Sequence, residues 1–119
     1  IVEKEIDSHL GKKFEEMARE VVSEAYPDMK IGSWWNRQGE EIDIIASGKN
    51  RVIYCEVKYT NRKVGESTLE ELKRKSYLVP FSGRKEYLLI SKSGFTRGLT
   101  ERENLELWTL EDIWESVYV

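Results

Sequence analysis

Three charged side chains interrupt apolar runs in the segment EEIDIIASGKNRVIYCEVKYT, residues 40–60. Asp43 lies within IDIIA, and Glu56 and Lys58 lie within YCEVK. A buried charge without a partner is costly, so these groups need one another or a ligand. Side chains alternate in direction along a strand. Tyr54, Glu56 and Lys58 therefore share one face of RVIYCEVKYT, and Ile53, Cys55 and Val57 share the other. By the same parity Glu41, Asp43 and Ile45 share a face, opposite Ile42, Ile44 and Ala46. A hairpin closed at SGKN (47–50) brings Asp43 opposite Glu56 or one position away. Like charges facing across strands cost up to ~1 kcal/mol. Lys58 offsets one of them, whereas a divalent cation offsets both. Hard ions such as Mg²⁺, or Mn²⁺, bind through one or two carboxylates together with waters and substrate phosphates. The chemistry that suits such a set is metal-assisted phosphodiester hydrolysis. The ion lowers the pKa of a bound water. Lysine orients or deprotonates that water and offsets the charge that develops on phosphorus.

The elements that must position these groups follow from periodicity. Residues 4–26 read as one amphipathic helix, with Ile6, Leu10, Phe14, Met17, Ala18, Val21 and Ala25 at helical spacing. At about 100° per residue, Glu15 borders the apolar arc beside Phe14, and Glu16 falls on the solvent side. Glu15 is therefore the candidate third acid, and Gly11, one turn earlier, would admit another backbone. KIGSWWNRQGEEIDIIA reads as two strands joined by a turn at Gln38-Gly39, and RVIYCEVKYT as a third strand of an antiparallel meander. GESTLEELKRKSYLVP (65–80) reads as a second helix, with a capping-box spacing from Ser67 to Glu70 and a stop at Pro80. EYLLIS is a continuous apolar strand, suited to a sheet covered on both faces. GFTRGLTEREN is a loop or short helix and LELWT a last strand. TLEDIWESV is a terminal helix capped by Thr109 and Asp112. The expected fold is α/β in a single domain over residues 1–119. Its order is α-β-β-β-α-β with a β-α tail, in a mixed central sheet flanked by helices.

Composition narrows the function classes. The chain of 119 residues has 19 basic and 22 acidic side chains, a net charge of −3. A free-standing DNA-binding domain is usually basic, so nucleic-acid contact is expected from a local patch. The candidates are Arg62 and Lys63, just after the E-V-K strand, and Lys92. Lys92 emerges beside Lys58 if EYLLIS runs parallel to its neighbour. The basic run Lys73, Arg74, Lys75 reads as a solvated helix face. Trp34 and Trp35 must point to opposite faces, one into the core and one outward, where it could stack on a base or a partner. The single histidine, His9, falls on the polar side of the first helix, so no Ser-His-Asp or Cys-His set can be built. The single cysteine, Cys55, reads as a reduced buried thiol, which suits a cytoplasmic setting. No C-x-x-C pair, no G-x-x-x-x-G-K-[ST] pattern and no apolar run of about 18 residues is present.

EIDIIA followed by YCEVK, behind a helix containing GKKFEE, resembles the PD-(D/E)XK nuclease superfamily, which includes restriction endonucleases and archaeal Holliday junction resolvases. The resemblance implies a restriction endonuclease-like core. It implies Asp43, Glu56 and Lys58 as catalytic residues, and Glu15, Asp43 and Glu56 as ligands to Mg²⁺ or Mn²⁺. The departure is Ile42, where the motif carries proline. KIGSWWNRQGEEIDIIA, EVKYTNRKVGESTLEELKRKS and YLLISKSGFT are also similar, over residues 8–110, to the C-terminal domain of unknown function of archaeal AAA-type ATPases. That similarity implies a piece of a longer protein, with its own ATPase domain as partner and DNA as a ligand. It also implies an alternative: a catalytically silent nuclease-fold module that binds protein or nucleic acid and regulates the ATPase.

Overall fold

The computed structural model describes residues 2–118 of the chain, and the side chains of residues 9–117. The elements are α1 (Val2–Ala25), β1 (Lys30–Trp35), β2 (Glu41–Ser47), β3 (Arg51–Lys58), α2 (Glu66–Ser76), β4 (Arg84–Ser91), β5 (Leu105–Thr109) and α3 (Leu110–Tyr118). The five strands form one sheet in chain order. β1, β2 and β3 pair antiparallel, and β3, β4 and β5 pair parallel. The element order and the mixed α/β sheet are those expected from periodicity.

The sheet separates two cores. Phe14, Ala18 and Val22 of α1 and Ile113 of α3 pack on Ile44, Ile53, Cys55, Leu88 and Ile90. Leu69 and Leu72 of α2 pack on Ile42, Tyr54, Leu89 and Leu105. Residues 88–90 of β4 are a continuous apolar run because Leu88 and Ile90 fill the first core while Leu89 fills the second. α1 has 24 residues, about 36 Å at the helical rise, whereas the strands have 5 to 8 residues, roughly 17–27 Å. A helix that overhangs its sheet cannot bury its whole apolar stripe. Leu10 and Ala25, both placed on that stripe by spacing, are accordingly exposed. Ile6 lies outside the described side chains.

Turn chemistry is mostly local. Gly39 takes φ +83° in the β1–β2 turn, where the Asn36 side-chain oxygen accepts the N–H groups of Gln38 and Glu40. Thr109 and Asp112 cap α3 reciprocally: each backbone N–H donates to the other's side chain, at 2.8 and 3.2 Å. The expected cap at Ser67 does not form. The N-cap is Gly65, without a side-chain cap, because the chain enters α2 pinned by Val64. The Val64 N–H donates to Gly94 O at 2.9 Å and its carbonyl accepts from the Thr96 N–H at 2.9 Å. That bridge fixes the start of the helix two residues earlier than the side-chain pattern suggests. α2 ends at Ser76, with Tyr77 as C-cap, and a turn carries the chain to Pro80.

Candidate active site

The candidate residues meet at the carboxyl ends of β3 and β4, the end at which open α/β sheets usually bind ligands. Their placement begins with an irregularity in β2. Gly32 of β1 pairs with Ile45, but Trp34 pairs with Ile42, so β2 carries one extra residue over that interval. The consequence is visible in the cores: Ile42 packs on the α2 side and Ile44 on the α1 side. Strict alternation, which puts Ile42, Ile44 and Ala46 on one face, fails here. A bulge re-aims the side chains beside it, and in β2 it leaves Asp43 directed toward α1, on the same side as Ile44. Arg19 of α1 brackets the bulge. Its guanidinium donates to the Asp43 carbonyl at 2.9 Å and reaches the Gly32 carbonyl at 3.5 Å.

The β2–β3 ladder runs from Ser47↔Val52 to Ile44↔Cys55, and Asp43 stands at the next step, facing Glu56. There the strands separate, and Asp43 Oδ2 accepts the Val57 N–H at 2.8 Å. Glu15, one helical turn before Arg19, is close enough to Asp43 for the two carboxyls to shift one another's pKa. Burial raises the Glu15 pKa, and the Asp43 charge raises it further. Burial also raises Asp43, against the Val57 N–H, which lowers it. The contact favours the proton on Glu15 and the charge on Asp43. Gly11 is approached by the Tyr59 side chain at 3.9 Å from where a Cβ would stand, an ordinary contact rather than the close backbone approach that its spacing suggests.

Glu56 points to the opposite face, with Tyr54 and Lys58, as parity requires. Its side chain is only 10% exposed. Burial raises its pKa, and the nearby Asp43 charge adds to that, while Lys75 and Lys58 pull it down. Lys58 Nζ lies 3.5 Å from Glu56 Oε2, and Lys75 Nζ lies 3.5 Å from Oε1. Lys75 arrives from α2 and also donates to the Glu41 carbonyl at 2.8 Å. A cavity of about 150 Å³ opens on these groups, lined by Glu56, Lys58, Ser67, Thr68, Glu71 and Lys75. A larger one, about 390 Å³, lies at the other end of the sheet, around Tyr26, Arg84 and Glu86. There the Arg51–Glu86 pair is satisfied at 2.7 Å, whereas the smaller cavity opens on the buried Glu56 and the partly exposed Lys58.

Glu15 and Asp43 therefore share the α1 side, while Glu56 stands across the strand fork on the α2 side, near enough for the Asp43 charge to raise its pKa. Among the described residues, no three His, Cys, Asp or Glu side chains surround one point as a metal shell would. In this arrangement Glu56 is turned to ammonium groups. The donor set still suits a hard cation. It offers only oxygen, and burial raises all three carboxyls above their ordinary values, with the Asp43 charge adding at Glu15 and Glu56 and the Glu41 charge adding at Asp43.

A family profile described as archaeal and bacterial proteins of unknown function matches residues 1–74, the stretch that contains Glu15, Asp43, Glu56 and Lys58. The chain belongs to this family, DUF234. No curated protein and no solved structure matches it.

Around the acids, the DUF234 chain places the other sequence candidates unequally. β3 and β4 are parallel, with Lys58 opposite Ser91, so Lys92 does emerge at the Lys58 end. Its ammonium donates to Asn61 Oδ1 at 2.9 Å and sits 4.5 Å over the Tyr59 ring. Arg62 and Lys63 are exposed in the β3–α2 loop at the same end. Trp34 packs into the α2-side core while Trp35 is 74% exposed. The basic run on α2 is not simply a solvated face. Lys73 lies over the Tyr87 ring, Arg74 is clamped between Glu40 and Glu71, and Lys75 enters the site. Sequence reasoning passed over Arg19 and Lys75. Both follow a buried residue of their helix, Ala18 by one position and Leu72 by three. The same border argument that selected Glu15 would have found them.

Proposed function

We propose that this domain hydrolyses phosphodiester bonds of DNA with Mg²⁺ or Mn²⁺, through a restriction endonuclease-like core, and that it works beside an ATPase module. The observation that carries this reading is that Asp43 and Glu56 occupy adjoining positions one step beyond the β2–β3 ladder, close enough for the charge of one to raise the pKa of the other, with Lys58 two residues along the same strand. Glu15, Asp43 and Glu56 would hold the ion. When bound, it supplies a water of lowered pKa and a Lewis acid for the phosphate. Asp43 is held in place by the Val57 N–H, so its carboxylate needs no search for position. Lys58, 39% exposed with one acidic partner, can turn to a phosphate or to the attacking water. Arg62, Lys63 and Lys92, at the same end, would take neighbouring phosphates. Each would make the binding salt-sensitive.

A second reading keeps the fold without turnover. It is favoured by one feature: Glu56 already has two ammonium neighbours, so its charge is balanced without a metal. In that case the domain binds protein or nucleic acid and regulates the ATPase. Cleavage of branched, single-stranded and duplex DNA, with and without Mg²⁺ or Mn²⁺, separates the two. Metal-dependent cleavage that disappears in Asp43→Asn and Lys58→Ala is the expected result. DNA binding without cleavage in any metal, with the ATPase present, would establish the second reading instead.

A further inference from the structure

Lys75 is the best-fixed cation in the site, and the hydrolytic reading does not use it. Its side chain is 12% exposed, against 39% for Lys58. The Glu41 carbonyl holds its ammonium at 2.8 Å, which places it 3.5 Å from Glu56 Oε1. It comes from the last turn of α2, one turn beyond Glu71 and beside the buried Leu72 and Ser76. Backbone and side chain together leave it little freedom to leave Glu56. A lysine in that position does for Glu56 what a bound cation would do: it compensates a buried carboxylate that burial and Asp43 both disfavour as an anion.

We propose that Lys75 is a positioning residue that stands in for the metal at Glu56, and that a divalent ion binds there only by displacing it. The proposal rests on the metal-dependent reading above and deepens it by naming the intramolecular competitor. It accounts for the separation of the acids, since Glu56 is drawn toward α2 by Lys75 while Asp43 and Glu15 lie on the α1 side. It also divides labour between the two lysines. The exposed one is left to the phosphate, and the held one compensates the Glu56 charge. Once displaced, Lys75 would lie in the 150 Å³ cavity with Ser67 and Thr68, where a substrate phosphate could take up its charge.

The test is Mn²⁺ affinity, measured by calorimetry on the metal-free protein with no turnover required. Lys75→Met and Lys75→Gln remove the charge, the second keeping a donor for the Glu41 carbonyl. Both should bind Mn²⁺ about tenfold more tightly than wild type, the scale of a close charge pair removed. Lys75→Arg should restore the wild-type value. Lys58→Met should shift affinity less, because its ammonium is already in water. Wild type without measurable Mn²⁺ binding, and Lys75→Gln with it, would support the proposal equally. If wild type binds Mn²⁺ and the Lys75 variants bind it equally or less tightly, Lys75 is no competitor, and the metal reading survives alone. An equal gain from Lys58→Met would also overturn the assignment to Lys75. If no form binds Mn²⁺, both the proposal and the metal reading fail. Circular dichroism of Lys75→Gln confirms that a folded protein is being compared.

Discussion

At the scale of the residue, the site is a collection of charges held against their preference. Glu15, Asp43 and Glu56 all have raised pKa values, with burial as the first cause in each. A group in that condition weakens the metal-free fold while it is ionised. Asp43→Asn should therefore stabilise the metal-free protein at neutral pH by about 1 kcal/mol, the size of a like-charge apposition. The amide oxygen can still accept the Val57 N–H, so the strand fork is kept. Urea unfolding of the two proteins measures the difference. A loss of stability would mean that Asp43 is a satisfied anion and not a strained one. Cys55 shows the opposite outcome for a buried titratable group. Burial and the nearby acids push its thiol well up, so it stays protonated and inert at the core. Arg19 joins the two behaviours, since its guanidinium spends its donors on backbone carbonyls of the bulge rather than on a carboxylate.

At the scale of the element, each strand and helix was legible where its pattern is internal to it. The Thr109–Asp112 cap needs only residues three apart, and it formed as its spacing indicates. The Ser67–Glu70 spacing is of the same kind and did not cap, because the Val64 bridge to the 94–96 segment set the helix start from outside. Strand β4 shows how tight an element's beginning can be. Gly83 has φ +145°, and a Cβ there would stand 2.7 Å from the Asn50 carbonyl oxygen. That same oxygen accepts the Arg84 N–H at 2.9 Å, so it cannot move away. Gly83→Ala should cost at least about 1–3 kcal/mol in thermal or urea unfolding. Gly98→Ala, with open space at its Cβ and no positive φ, should be close to neutral. Equal effects at the two positions would show that the loop yields more easily than its geometry implies.

At the scale of the whole molecule, the charge pattern gives the fold a pH profile. For Glu15, Asp43 and Glu56 the folded pKa exceeds the ordinary value, so the folded chain binds protons before the unfolded chain does. Their contribution is fully present below the unfolded values and is lost as pH rises through the folded ones. The melting temperature of the metal-free protein should therefore rise as pH falls from 7 toward about 5. Saturating Mn²⁺ should reverse that trend, because the ion requires the deprotonated acids. On the alkaline side, burial and Glu106 push Tyr26 up to about 12, so stability should fall between pH 10 and about 12, and fall less steeply in Tyr26→Phe, where the buried Tyr54 and Cys55 still resist deprotonation in the fold. Calorimetry across this range tests all of these windows. A flat acid limb in the metal-free protein would remove the electrostatic case for the site. No described helix is long and apolar enough to cross a membrane. What the amino-acid order determined unaided was the succession of elements, the two-sided burial of β4 and the shared face of Glu56 and Lys58. Each is a periodicity within one element and needs no knowledge of a neighbour. What the tertiary structure decided was the direction of Asp43, the contact with Glu15 and the arrival of Lys75. A bulge exists only relative to the strand beside it, and α2 meets β3 only after the crossover has packed. Strand parity therefore foretold the common face of Glu56 and Lys58, while long-range packing settled which face Asp43 occupies and which helix residues stand beside it.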